Sequence, residues 1–308
     1  MSDVVNIGGT PAPAAPGEPA RRPAWLRVKV QDSQSYKEVG QLINGLRLNT
    51  VCTEARCPNI WECWGQHRTA TFMILGDVCT RSCRYCSVTK GRPPGPPDAE
   101  EPGHVAEAVV HLKLKHAVIT SVDRDDLPDQ GSGHFAATIA AIRAAKADCR
   151  IELLTPDFRG DLEPIRRVYD ARPDVFGHNT ETVPRLYRRM RPRGSYTRAL
   201  ELIAQLDRWR RAEGVSMVTK SGLMVGLGED IPEVLAVMDD LRAHGCDVLT
   251  LGQYLNPTRR HLAVQRFYTP EEFELMRVEG LRRGFLHVVS GPLVRSSYHA
   301  HEHVPAGR

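Results

Sequence analysis

The sequence predicts an α/β fold in which parallel strands alternate with crossover helices, and three observations carry that expectation. From residue 71 onward, short β-branched or apolar runs alternate with longer segments whose apolar residues recur every three or four positions. Polar, chemistry-bearing residues gather directly after three of the apolar runs, the end at which parallel α/β folds place their sites. The chain has 308 residues, 41% apolar and 25% charged, which fits one large domain or two small ones, and a barrel-type domain of this length needs no second unit.

Taken in order, residues 1–20 are rich in Pro, Ala and Gly and read as a disordered tail. They lack the basic region and apolar core of a secretory signal, and the Arg-rich amphipathic pattern of a transit peptide. No later run approaches the roughly 18 apolar residues that a membrane span needs, so no membrane role is expected. Eight cysteines without an export signal point to a reducing compartment, and a cytoplasmic protein is expected. The net charge of +4 is too weak to argue for nucleic acid, though it suits an acidic protein partner.

Six strands are predicted: "TFMIL" (71–75), "HAVITSV" (116–122), "RIELLTP" (150–156), "VFGHNTE" (175–181), "SMVTKSGLMVG" (216–226) and "DVLTLGQY" (247–254). Between them, "HVAEAVVHLKL", "HFAATIAAIRAAKA", "RALELIAQLDRWRRAE" and "EVLAVMDDLRAHG" show helical periodicity. Six βα units fall short of a closed eightfold barrel, which leaves a partial barrel or an open doubly wound sheet. In either, the cysteines after the first strand, "SVDRDD" after the second and "HNTE" after the fourth would share one site.

Cys79, Cys83 and Cys86 follow the first strand at a C-x3-C-x2-C spacing, with no obvious fourth ligand. Structural zinc takes four protein ligands, and His104, His111 or His116 could supply the missing one. An iron-sulfur cubane with three cysteines instead leaves one iron open for a small molecule. Spacing alone leaves both open.

This spacing, with Tyr85 before the last cysteine, resembles the signature of the radical S-adenosylmethionine (SAM) superfamily. The resemblance implies a partial (β/α)6 radical SAM barrel, here at residues 71–284. It also implies a 4Fe-4S cluster whose open iron chelates SAM and reduces it to a 5'-deoxyadenosyl radical. "GLMVGLGE" (222–229) resembles the family's glycine-containing strand, where Gly222 and Gly226 would allow close approach of the adenine. Asn179 and Glu181 are expected to meet SAM, Ser121 and Asp123 to contact it or order its loop, and Arg198 and Lys220 to pair with its carboxylate.

A second set, Cys52, Cys57 and Cys63, lies upstream at C-x4-C-x5-C. Alone it would read as a structural zinc or buried thiol cluster about as readily as a functional site. The whole string "CPNIWECWGQHRTATFMILGDVCTRSCRYC" is similar to the sulfur-inserting branch of the superfamily that forms the lipoyl cofactor, and the similarity extends over roughly residues 21–300. It implies an N-terminal extension at 21–70 that holds a second, auxiliary 4Fe-4S cluster on these cysteines. It further implies a C-terminal extension at 285–308 whose "RSSY" element supplies a serine ligand, Ser297 in preference to Ser296. An alkoxide matches iron less well than a thiolate, which suits a cluster that is to be dismantled as a sulfur source.

The activity so implied is insertion of two sulfurs at carbons 6 and 8 of a protein-bound octanoyl-lysine. No side-chain base deprotonates such C–H bonds, so a radical is required. No catalytic residue is assigned beyond the cluster ligands. The implied partners are octanoylated carriers (the H protein and the E2 lipoyl domains of 2-oxoacid dehydrogenases), an electron donor and an iron-sulfur cluster supplier. Another two-cluster radical SAM enzyme and a noncatalytic zinc module are the alternatives. Asn256 stands where that family is expected to have glutamine, and Arg259, Arg260 and His261 have no assigned role. Cys149 and Cys246 read as small buried hydrophobes, and "HAHEH" (299–303) as a solvated end. The basic runs "RLYRRMRPRGSYTR" and "RWRR" read as solvated helix faces, or as a docking patch for an acidic carrier.

Overall fold

Strands made almost wholly of aliphatic and β-branched residues have no polar face to offer water, so both of their faces must be covered. The computed structural model, which describes residues 22–28 and 33–302, shows that arrangement. The expected tail at 1–20 and His303 of the terminal histidine run lie outside the described residues. The chain opens with α1 (Gln34–Gly45), β1 (Asn49–Thr50), α2 (Val51–Glu54) and α3 (Ile60–Gly65). It continues through β2 (Thr71–Ile74), β3 (Val78–Cys79), β4 (Thr89–Lys90), α4 (Glu101–His111), β5 (His116–Ser121), α5 (Ser132–Ala145) and β6 (Arg150–Leu154). Then come α6 (Leu162–Asp170), β7 (Val175–Gly177), α7 (Pro184–Met190), α8 (Tyr196–Glu213) and β8 (Val218–Val225). The last elements of the barrel are α9 (Ile231–Ala243), β9 (Val248–Gln253), α10 (Pro270–Arg282) and β10 (His287–Gly291).

Eight of these strands form one sheet in the order β1-β2-β5-β6-β7-β8-β9-β10, while β3 and β4 pair separately. All neighbours in the large sheet are parallel except β1 and β2. From β2 onward each strand joins the edge its predecessor left, and the order never reverses. Right-handed crossovers then put every helix on one face, so the sheet curls around the other. A doubly wound sheet would reverse its order at a switch point. The fold is therefore the partial barrel of the two expected forms.

The six predicted strands all appear, with shorter ends. "VFGHNTE" pairs only over Val175–Gly177, and the chain rejoins the sheet at the bridge between Glu181 and Leu223. Glu181 has a positive φ of 70°, which turns its carboxylate segment out of the ladder. Two sheet members lie beyond the expected barrel limits. β1 comes from the N-terminal segment, and β10, parallel to β9, opens the C-terminal one. Capping boxes at Asp230/Glu233 and Thr269/Glu272 start α9 and α10. Cys149 and Cys246 are fully buried in the core, as small apolar side chains are.

The C-terminal chain returns across the open mouth of the barrel. Gly252 on β9 permits this, because a β-carbon there would strike the carbonyl of Val294. Asn59 Nδ2 also donates to the Leu293 carbonyl at 2.7 Å, tying the N- and C-terminal segments together.

Candidate functional site

A cavity of about 540 Å³ opens at the C-terminal ends of the parallel strands. Cys52 and Cys57 line it together with Cys79, Cys83 and Cys86, and Ser296 and Ser297 belong to the same lining. Cys63 does not line the cavity, but it is close enough to feel the charges of Cys52 and Cys57. Ser121, Asp123, Asn179, Glu181, Lys220 and Gly222 also line the cavity. Arg198 and Gly226 do not. Arg198 is ion-paired with Asp157 at 3.0 Å, and Gly226, at φ 106°, turns the end of β8 where its amide bonds Glu229.

The loop between Cys79 and Cys83 is fixed by Arg81, whose side chain is buried. Its guanidinium meets Asp157 at 2.6 Å, Asp125 at 2.9 Å and Asp123 at 3.2 Å, so one cation joins the ends of β5 and β6 to the cysteine loop. Asp123 in turn donates its amide to the Cys79 sulfur at 3.3 Å. His261, left without a role by the sequence, contacts the Cys86 carbonyl at 3.0 Å through Nε2. Arg259 and Arg260 are exposed.

Next to this loop, Glu181 is half-buried beside Arg191, which donates to the Asn179 carbonyl at 2.9 Å. Burial pushes the Glu181 carboxyl up, against the opposing pull of Arg191, Asn179 and Tyr85. Arg191 was part of the basic run read as a solvated face. It is buried instead, with its charge held among Tyr85, Tyr187 and Glu181. Burial of this residue depends on contacts from distant elements, which a local charge run cannot reveal. Gly222 keeps the wall thin here: a β-carbon would lie 2.6 Å from Thr250 Oγ1 and 2.9 Å from Asn179 Oδ1. The Ser121 Oγ and Asn179 Oδ1 atoms are buried without a hydrogen-bond partner. Unpaired polar atoms of this kind cost about 1–3 kcal/mol each, and a ligand bearing hydroxyl and amino groups would satisfy them.

On the other side the two adjacent serines diverge. Thr71 donates its hydroxyl to Ser297 Oγ at 2.7 Å, and the Thr71 backbone amide bonds the Cys52 sulfur. Ser297 is thus placed with the upstream triad. Ser296 faces the opposite way, accepting from Asn179 Nδ2 at 3.1 Å, and its carbonyl accepts from Lys220 Nζ at 2.7 Å. Lys220 also contacts Glu152 at 2.5 Å, and Glu152 contacts His116 at 3.1 Å. The lysine therefore anchors the C-terminal segment across the barrel. Arg295 adds a half-buried cation beside Cys57.

The donor sets suit iron clusters. Burial pushes the thiols up, to about 11 at Cys52 and Cys86 and about 12 at Cys79, and raises those of Cys57, Cys63 and Cys83. Thiols so desolvated ionise only against a bound cation. Tetrahedral zinc at ~2.3 Å from each sulfur would draw the sulfurs to within roughly 4 Å of one another. Among the described residues, neither triad brings its three sulfurs within 4.8 Å. His104, His111 and His116 line no part of the cavity, and His116 is paired with Glu152. Two triads held open in this way fit clusters, with three ligands from the chain at Cys79, Cys83 and Cys86.

Comparison with known proteins agrees with this geometry. Residues 73–250 match the radical SAM superfamily. A lipoyl synthase of Rubrobacter xylanophilus is 56% identical over 287 residues, covering 93% of this chain and 88% of the relative. One of Chloroflexus aggregans is 53% identical over 312 residues, covering all of both chains. Among solved structures, Streptococcus suis SuiB bound to its precursor peptide SuiA aligns over 75% of this chain and 51% of its own, with a TM-score of 0.52 at 10% identity, a likeness of fold alone. The enzyme thus uses a 4Fe-4S cluster and SAM, and no described helix is long and apolar enough to cross a membrane. The cysteine spacing, the barrel and the near full-length identity converge: this chain belongs to the lipoyl synthase family of radical SAM enzymes.

Proposed function

We propose that this protein converts a carrier-bound octanoyl-lysine to the lipoyl cofactor by inserting sulfur at carbons 6 and 8. One observation carries the reading. Cysteines of both triads line one cavity, and Ser297 stands with the upstream triad while Ser296 stands with Asn179. When bound, the cluster on Cys79, Cys83 and Cys86 together with SAM supplies the radical, and an auxiliary 4Fe-4S cluster on Cys52, Cys57, Cys63 and Ser297 supplies the sulfur.

The chain's own residues position and shield. Val51, Met73, Val118, Leu154, Met224 and Leu255 give the cavity an apolar lining that suits an octanoyl chain and excludes water. Ser121, Asn179 and Glu181 present polar atoms to SAM from the strand ends, and Gly222 leaves room for it. Asp123, through Arg81, sets the cysteine loop. Arg198 acts one step removed, through Asp157. Lys220 holds the Ser296 carbonyl and so fixes where Ser297 lies.

At the mouth, Lys90 and Arg56 line the entrance, and Arg188, Arg189 and Arg193 are exposed nearby, with Arg193 bonded to the Thr80 carbonyl. This basic rim suits an acidic octanoylated carrier such as the H protein or an E2 lipoyl domain. An electron donor and a cluster supplier complete the partners, and the free cysteines suit the cytoplasm. The test is anaerobic turnover with an octanoylated carrier, SAM and a reductant, followed by mass spectrometry. The expected carrier gains two sulfur atoms. SAM cleavage with a carrier of unchanged mass would contradict the reading.

A further inference from the structure

Outside the cavity, a second group of metal-ligating side chains joins the two terminal segments. Glu62 on α3, His67 just after it and His299 in the C-terminal segment bring their donor atoms within 4.8 Å of one another. None of the three lines the cavity. We infer that Glu62, His67 and His299 form a binding site for a divalent transition-metal ion that clasps α3 to the segment following Ser297.

Three features favour a metal over a plain polar cluster. The first is spacing: a Glu62 carboxylate oxygen lies 3.5 Å from His67 Nε2 and 3.1 Å from His299 Nε2. Ligands ~2.0–2.2 Å from a tetrahedral ion sit about 3.3–3.6 Å apart, so the set needs little movement to close on one. The second is the outer support. His299 directs its other ring nitrogen, Nδ1, to Glu302 at 3.1 Å, the carboxylate–histidine arrangement that orients metal-bound imidazoles. Tyr298 donates to both Glu62 oxygens, at 3.0 and 3.2 Å. The third is backbone. His299 adopts φ 52°, a left-handed conformation that an ordinary side chain rarely takes, and this turn brings its ring beside that of His67, with centroids 5.0 Å apart.

Two imidazoles and one carboxylate suit zinc or ferrous iron and bind magnesium or calcium poorly. The half-buried position of Glu62 and the exposed position of His67 leave room for water and for exchange. Because Cys63 directly follows Glu62 and Tyr298 directly follows Ser297, an ion here would pin both ends of the auxiliary-triad region from outside. The inference goes beyond the proposed activity and does not depend on it.

The test is calorimetric titration of zinc chloride into the full chain with both triads anaerobically loaded, so that the cysteines are occupied. One saturable equivalent is expected, with no binding when magnesium replaces zinc. His67→Ala and His299→Ala together should abolish it, and Glu302→Gln, which alters the supporting contact and none of the three ligands, should weaken it about 10–100-fold. Iron content equal to that of the unaltered protein shows that a variant has folded; if the double variant loses iron, Glu302→Gln and His67→Gln decide. Zinc binding should also slow amide hydrogen exchange at residues 298–302. Absence of a zinc equivalent, equal binding of magnesium, or unchanged zinc affinity in the folded variants would overturn the inference.

Discussion

Replacing Arg81 with methionine removes one cation from three carboxylates. The ion pairs lost are those to Asp157 at 2.6 Å, Asp125 at 2.9 Å and Asp123 at 3.2 Å. Methionine fills most of the arginine's apolar volume, so the change is chiefly electrostatic. Breaking a buried pair from one side costs about 3–5 kcal/mol, because the remaining charge is left without a partner. Asp157 keeps Arg198 at 3.0 Å, which puts the expected cost near the lower end, about 3 kcal/mol. That is roughly a hundredfold in any equilibrium that requires the ordered cysteine loop. The assay is iron content and reductive SAM cleavage after anaerobic reconstitution. Arg81→Met should fall from about eight irons toward four, the content of one cubane, and lose SAM cleavage about a hundredfold. Arg81→Lys should lie between, since an ammonium cannot span three carboxylates as a guanidinium does. Full iron and a normal cleavage rate in Arg81→Met would refute the electrostatic account of the loop.

Three further outcomes follow from the contacts around the cavity. Ser297→Ala should lose iron from the upstream triad, Ser297→Cys should retain it, and both should cleave SAM while forming little lipoyl product; Ser296→Ala should keep all its iron, and an iron loss there instead would move the ligand by one residue. Lys220→Met removes the ammonium paired with Glu152 and strips a donor from the Ser296 carbonyl, so urea unfolding read by circular dichroism should show a loss of about 3 kcal/mol, partly recovered when Glu152→Gln is added. For Asp157, burial opposes ionisation, but Arg81, His178 and Arg198 together outweigh it and hold the carboxyl at about 2 against a usual 3.8. Its contribution of ~2 kcal/mol is complete above about pH 4 and is lost as pH falls through 2, so Asp157→Asn should flatten the acid limb of the stability profile.

The strands were legible because runs such as "HAVITSV" and "DVLTLGQY" declare burial on both faces within a few residues. β10 was not, since "HVVSG" carries only two strongly β-forming residues and owes its place to the ladder that β9 offers. The cysteines were legible because ligand spacing is a local property of the chain. The residues that hold them were not. Arg81 sits inside the cysteine motif itself, yet its partners are contributed by the ends of two other strands. Arg191 looked like one more surface charge in a basic helix, and only the packing of Tyr85, Glu181 and Tyr187 around it makes it interior. Lys220 and Arg198, expected to pair with the carboxylate of SAM, have acidic partners on β6 and just beyond it that no local pattern announces.

The most direct test of the two-triad account is the origin of the sulfur. Protein reconstituted with heavy-isotope sulfide, freed of excess sulfide and turned over once against an octanoylated carrier should yield lipoyl groups in which both sulfurs are heavy. The same protein with Cys52, Cys57 and Cys63 replaced by alanine should still cleave SAM and yield none. Light sulfur in the product of the unaltered chain, or lipoyl formation by the triple variant, would contradict the account.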